Sequence, residues 1–371
     1  MRMLGLPIPE FFKYDHIQTA AKEWDYTPNV SDLHSHADQW RRKHDIIPAS
    51  DQKTDIHLLG IDLQRDFCLP EGTLFVAGRS GSGAVEDSMR TAEFIYRNLD
   101  VITDITLTLD THYLFQIFFA PFWVTEEGSP LSEHTMIVVS DDEEHLNNTD
   151  PSGNMVHENV RPNPAIAKWL CNDDYAWLQK QALFYCKKLA ESGKYTLYLW
   201  PPHCLMGTVG HAVTGVISEA VMFHNLVRGA KPRMYLKGEN FLTESYDPAA
   251  SEVLERWDGK GNIAQARDSG FYDDVCTADV YIVLGQAASH CVLTMIDGLL
   301  TEIKDKNPDL TKKIYILIDC MSSVTVSDPD GTIVVDFTPD AEAAFERFSH
   351  AGINLVESTV PIEKWPGVQI K

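Results

Sequence analysis

Five short stretches of this chain hold residue types that can do covalent or metal chemistry. Asp62 closes the apolar run Ile56-His57-Leu58-Leu59-Gly60-Ile61 and is followed by Leu63-Gln64-Arg65-Asp66-Phe67. A carboxylate at a strand end can accept a proton, or it can simply cap the turn. Asp110 and His112 close a second run, Ile105-Thr106-Leu107-Thr108-Leu109. Residues two apart on a strand share a face, so the carboxylate and imidazole project together. That pairing suits a divalent cation, or a carboxylate that orients the neighbouring ring. In Trp200-Pro201-Pro202-His203-Cys204 the two prolines can continue neither strand nor helix. They impose a bend that aims His203 outward, or that buries it against a partner. Cys291 lies in Gly285-Gln286-Ala287-Ala288-Ser289-His290-Cys291-Val292, between an apolar strand and a helix. A helix N-terminus lowers a thiol pKa and its amides can hold an oxyanion, although an isolated cysteine can equally be an inert buried thiol. His290 is adjacent to Cys291 and diverges from it, so it is a poor base for that thiol. Lys237, after Met234-Tyr235-Leu236, is a cation at a strand end or a solvated surface residue.

The elements that must position these groups alternate. Strand signals fall at Ile56–Asp62, Ile105–Asp110, Tyr195–Trp200, Arg233–Leu236, Val280–Leu284 and Ile314–Ile318. Helical spacing falls at Ala84–Leu99, Pro164–Glu191, Ala212–Arg228 and Cys291–Lys304. This pattern predicts an α/β fold: a three-layer, open, mostly parallel sheet with helices on both faces. Ligands of such sheets sit beyond the carboxyl ends of the strands, where the polar residues above are found. Residues 1–54 lack a sustained apolar period and read as an N-terminal arm with a short helix near Asp15–Glu23. Residues 55–371 read as one catalytic domain. Residues 124–163 carry nine acidic residues against one basic, and read as a long acidic insertion with a short strand at Met136–Val139.

Composition narrows the function classes. Across 371 residues, 31 Lys and Arg stand against 54 Asp and Glu, a formal charge of −23. The longest basic cluster, Arg41-Arg42-Lys43, is flanked by Asp38 and Asp45, so no basic stripe offers itself to phosphate and nucleic acid is excluded as a partner. Seven cysteines with no CxxC pair argue against a disulfide scaffold or a thiolate zinc site. No run approaches a membrane span, and the proline-broken N-terminus does not read as a signal peptide. A cytoplasmic protein without membrane partners is expected, and a homo-oligomer is compatible with it. Gly78-Arg79-Ser80-Gly81-Ser82-Gly83 lacks the Gly-Lys-Ser/Thr ending of a phosphate loop and reads as a turn before a helix.

Taken together, IDLQRDF, DTH, WPPHCLMGTVGH, KGENFLTESY and GQAASHCV, in that order, resemble the nicotinamidase branch of the isochorismatase-like cysteine hydrolases. The likeness runs from about residue 55 to 360. It implies a catalytic triad of Asp62, Lys237 and Cys291, and an oxyanion hole of the backbone N–H groups of Ala287 and Cys291 with a cis peptide at Gln286-Ala287. It also implies metal ligands Asp110, His112 and His203, and substrate-flanking aromatics Phe67 and Trp200 with Tyr246 as a further candidate. The implied cofactor is a divalent metal, zinc first, with manganese or iron as alternatives and a metal-free site left open. The implied activity is hydrolysis of nicotinamide to nicotinate and ammonia, in NAD salvage. Where many members have a further histidine after the DxH pair, this chain has Tyr113-Leu114-Phe115-Gln116. Gln116 could supply a neutral ligand oxygen, hold a metal-bound water or touch substrate, and it favours a related amidase acting on another small carboxamide. A third reading is a non-catalytic binding protein that keeps the fold.

Overall fold

The computed structural model describes residues 5–12, 14–193, 195–265, 268–328 and 330–371; the first four residues of the N-terminal segment lie outside them. Packing divides the chain into two compact units. The first comprises Met1–Asp110, Val209–Leu236 and Ser269–Lys371, and the second Thr111–Thr208 and Lys237–Asp268.

The first unit is built on a six-stranded sheet. Its strands are β1 (Ile56–Ile61), β2 (Asp104–Asp110), β3 (Arg233–Lys237), β4 (Val280–Gly285), β5 (Ile314–Leu317) and β6 (Asn354–Val356), in the order β6-β5-β4-β1-β2-β3. β1 pairs in parallel with β2 and β4, β4 with β5, and β5 with β6. All six residues of β1 and of β4 are buried, as a strand covered on both faces requires. Flanking helices include Gly83–Arg97, Gly215–Arg228, Leu293–Lys306 and Thr338–His350. From β1 the chain winds to β2 and β3 on one side, then returns to β4 on the other. The order therefore reverses between β1 and β4, and a parallel α/β sheet opens its binding crevice at such a switch point.

The arm holds more structure than its sequence announces. A helix spans Tyr14–Ala20, and a second, Val30–Lys43, packs against Gly215–Arg228. Only Leu33, Ala37 and Trp40 of that second helix are buried, a thin stripe at i, i+4 and i+7 among Ser, Asp, His and Arg that gives a weak period. Asn29 caps it, accepting from the N–H groups of Ser31 and Asp32.

His224, on Gly215–Arg228, is fully buried with Nε2 3.0 Å from the carbonyl of Ile102. Burial lowers its pKa from 6.5 to about 4. Below pH 6.5 the unfolded chain takes up a proton that the folded chain refuses until about pH 4. This contribution to stability is therefore complete above pH 6.5 and is lost as pH falls toward 4, by roughly 3 kcal/mol for a shift of this size. Urea midpoints measured from neutral to acidic pH should fall less steeply for His224→Gln than for the unsubstituted chain.

The second unit carries a four-stranded antiparallel sheet, ordered Met155–His157, Leu146–Thr149, Thr135–Val139, Leu197–Leu199. Two sequence expectations are corrected here. The strand expected at Tyr195–Trp200 forms at Leu197–Leu199 but joins this antiparallel sheet instead of the parallel one; a short apolar run reads the same in either setting. The acidic insertion supplies the other three strands and so is a folded element. The single helix expected over Pro164–Glu191 is broken, with a short helix Ala167–Leu170 and a long one Tyr175–Ser192. Asn172 and Asp173 take positive φ between them, which ends one helix, and Asp174 caps the next. Among the described residues no helix is long and apolar enough to cross a membrane.

Candidate active site

At the switch point of the first unit, Asp62 immediately follows the last residue of β1. This residue is fully buried and adopts φ +49°, a left-handed conformation that is uncommon outside glycine. The β2 residue Thr108 holds it there: its hydroxyl donates to Asp62 Oδ1 at 2.7 Å, and Asp62 N–H meets the Thr108 carbonyl at 3.2 Å. The carboxylate is thus fixed against the neighbouring strand instead of capping a turn.

β4 ends on Gly285, paired with Ile61. Gly285 has φ +128°, and a Cβ there would stand 2.1 Å from the Ile61 carbonyl oxygen, so only glycine lets the two strand ends close up. The Gln286-Ala287 peptide that follows is cis. A π-helical turn, Ala288–Val292, then leads into Leu293–Lys306 and carries the buried Cys291. The result is a cluster wholly inside this unit: ligand-capable atoms of Asp62, Asp110 and Cys291 lie within 4.8 Å of one another. A carboxylate this near a thiol can take its proton after a small side-chain movement.

His290 sits 2.8 Å through Nδ1 from the Ser289 hydroxyl, and burial lowers its pKa to about 4, so it is a neutral ring near pH 7. Elsewhere, burial pushes the Cys68 thiol up to about 12 and raises Cys186 and Cys320 as well, which leaves these three protonated and inert.

The backbone of Asp110 is held by Gln64, which lies in the IDLQRDF stretch. Gln64 accepts from the Asp110 N–H at 2.7 Å and donates to the Asp110 carbonyl at 2.8 Å and the His211 carbonyl at 2.9 Å. A glutamine three residues past a strand end carries no sequence signal for this, because its partners come from distant segments.

In the second unit His112 and His203 face each other, ring centroids 4.9 Å apart and 86° between planes. His112 Nδ1 lies 3.1 Å from the Gly238 carbonyl, and His203 Nδ1 lies 2.7 Å from that of Pro201. A carbonyl only accepts, so each Nδ1 carries the proton and each Nε2 keeps its lone pair, the tautomer a metal ligand needs. Phe118 and Phe119 pack edge-on around His112. Asp110 precedes His112 by two residues along the chain. Two such imidazoles are donors of the kind that zinc, manganese or iron accept.

Gln116 is held by backbone hydrogen bonds. Fully buried, it donates from Nε2 to the carbonyls of Gly238 and Asn240, both at 2.6 Å, and accepts from the Tyr113 N–H at 3.0 Å. Both amide hydrogens and the oxygen are thus committed to the backbone of the segments that carry His112 and Gly238. Gln116→Ala should lower the melting temperature, costing about 3 kcal/mol for buried backbone groups left unmade. Metal content per folded protein should stay unchanged, whereas a ligand role would lower it.

The remaining candidates are buried side chains, except Tyr246, which is half-buried. Lys237 ends β3, the strand beside β2, is 4% exposed, and accepts the Thr111 N–H through its carbonyl. Trp200 Nε1 donates to the Tyr246 hydroxyl at 3.0 Å, and Tyr246 donates to Glu244 at 2.8 Å, which anchors the indole of Trp200 in the second unit. Phe67 lies on a short helix, Arg65–Cys68, in the first unit. Ala287 shares the elbow loop with Cys291 and accepts from the N–H groups of His290 and Val292.

No protein-family model matches the chain, and no curated protein matches it. Solved structures similar to it include an Acinetobacter baumanii nicotinamidase/pyrazinamidase, at 16% identity, 83% of this chain, 98% of that one and a TM-score of 0.43. A yeast nicotinamidase bound to the inhibitor nicotinaldehyde is similar at 16% identity, 81% and 99% coverage and 0.45. A Pyrococcus horikoshii pyrazinamidase in complex with zinc follows at 15%, 82% and 99%, and 0.40. Likeness at these values reports neither substrate nor activity. What the chain's own geometry defines is an α/β protein with a carboxylate and a thiol together at the switch point of a parallel sheet.

Proposed function

We propose that this protein is an amidohydrolase that cleaves nicotinamide to nicotinate and ammonia through a thioester on Cys291. The observation that carries the proposal is the buried cluster of Asp62, Asp110 and Cys291 within 4.8 Å at the carboxyl ends of β1, β2 and the β4 elbow.

In this reading Asp62 takes the Cys291 proton, and the ammonium of Lys237 favours both anions. The sulfur attacks the carboxamide carbon, the S–C bond forms, and the carbonyl electrons move to oxygen. The backbone N–H groups of Ala287 and Cys291 hold that oxyanion. Asp62 then gives its proton to the amide nitrogen, the C–N bond breaks and ammonia leaves. Water next gives a proton to Asp62 and its hydroxide part to the thioester, which releases the acid and regenerates the thiol. Phe67 and Trp200 supply flat apolar faces suited to an aromatic ring. A divalent metal held by Asp110, His112 and His203 would supply a Lewis-acidic anchor for a ring nitrogen.

A related amidase for another small carboxamide is the second reading. It is favoured by Gln116, whose commitment to backbone leaves the aspartate and two histidines as the whole proposed donor set. Ammonia release from a panel of carboxamides, with and without zinc, manganese or iron, separates the two. Nicotinamide should rank first; a non-pyridine amide ranked well above it would select the second reading, and no release from any amide would remove both.

A further inference from the structure

We infer that Asp87 is a positioning residue for the oxyanion loop, acting through the side chain of Gln286; this rests on the amidohydrolase reading. Neither residue stands in the proposed triad, oxyanion hole or metal set, and Asp87 belongs to no motif.

Gln286 is fully buried and immediately precedes Ala287, one of the two proposed oxyanion donors. It is held at three points. Its N–H donates to the Ile61 carbonyl at 2.8 Å, its Nε2 donates to Asp87 Oδ2 at 2.9 Å, and its Oε1 accepts from the Ser322 N–H at 3.3 Å. Beyond Ala287, the Ala288 N–H donates to the Ser322 carbonyl at 2.8 Å. Ser322 therefore grips the loop on both sides of Ala287, and Asp87 grips it from the helix Gly83–Arg97.

Asp87 is itself braced. It is 1% exposed, its Oδ1 accepts from Arg90 Nη2 at 2.7 Å, and Arg90 Nε donates to the Asp319 carbonyl. A buried carboxylate is costly unless every oxygen is engaged, and burial indeed pushes its pKa up against the pull of Ser322, Gln286 and Arg90. The helix, the loop and the segment after β5 thus share one polar network. The direction of the Ala287 N–H follows from where the Gln286 side chain is pinned. Oxyanion donors act only when charge develops on oxygen, so loosening this pin removes transition-state stabilisation and leaves ground-state binding alone.

The test compares Asp87→Ala, Asp87→Asn, Gln286→Leu and the Asp87→Ala/Gln286→Leu pair with the unsubstituted protein. Asp87→Ala and Gln286→Leu should each lower kcat for carboxamide hydrolysis about 10- to 100-fold with KM unchanged, less than deleting an oxyanion donor outright. Asp87→Asn, whose amide oxygen can still accept from Gln286, should recover most of that loss. The pair should be no worse than either single change. Pyridine-3-carbaldehyde adds to the thiol by forming the S–C bond while the carbonyl oxygen takes up the displaced electron pair, so its affinity should fall in step with kcat. Alkylation of Cys291 by iodoacetamide forms no oxyanion, and its rate should not change.

Unchanged kcat and aldehyde affinity in both single variants, with Cys291→Ala inactive, would overturn the inference and leave the amidohydrolase reading standing. Equal losses in kcat, KM and alkylation would overturn it as well, marking the network as general scaffolding. No turnover by the unsubstituted protein would remove the reading and the inference together.

Discussion

Cys291→Ala should abolish carboxamide hydrolysis, with a loss on the order of 10⁴-fold or more in kcat, while leaving the melting temperature close to that of the unsubstituted protein. The first half follows from covalent catalysis. Without sulfur no thioester can form, and the elbow amides alone recover only a small part of the rate. The second half follows from size, since a buried thiol behaves as a small apolar group and alanine leaves little space behind. Steady-state ammonia release together with thermal unfolding of the same sample checks both. Unchanged turnover in this variant would point to the non-catalytic reading of Cys291 and to catalysis elsewhere.

Asp62→Asn should lower kcat by roughly 10²- to 10⁴-fold, the usual worth of a general base. The asparagine oxygen can still accept from the Thr108 hydroxyl, so the left-handed turn at position 62 keeps its support from β2. Only the capacity to accept and return a proton is lost. The rate of Cys291 alkylation near neutral pH should fall in the same variant, because the thiolate loses its proton acceptor. This second readout needs no substrate. A variant that loses turnover but alkylates at the original rate would show that Asp62 acts on the leaving group alone.

Much of this arrangement is legible in the sequence. The apolar runs of β1, β2, β4 and β5 are short, dense in Ile, Leu and Val, and end in polar residues, which is how strands buried on both faces must read. The positions of Asp62 after β1 and of Cys291 in the elbow after β4 are therefore readable from the sequence. Elements whose burial depends on distant partners were not legible. β6 is three residues long, and its Asn354 and exposed Leu355 carry no strand signal. Leu197–Leu199 has the composition of a core strand yet pairs with Thr135–Val139, because its partner is chosen by packing. Gln64, Asp87 and Gln116 all act by bonding to backbone or side chains more than 40 residues away or across loops, so no spacing rule finds them. Gln116 shows the limit most clearly. Its place after the DxH pair suggests a ligand, and its three hydrogen bonds to the loop backbone carry no signal in the sequence.

The central claim, an acyl group carried on Cys291, is tested most directly by turnover in the presence of hydroxylamine. An acyl-enzyme partitions between water and the added nucleophile. The predicted result is formation of the hydroxamate of the substrate acid at the expense of free acid, saturating with hydroxylamine, and absent in Cys291→Ala. Ammonia release that continues without any hydroxamate at high hydroxylamine, or hydroxamate formed equally by Cys291→Ala, would contradict it.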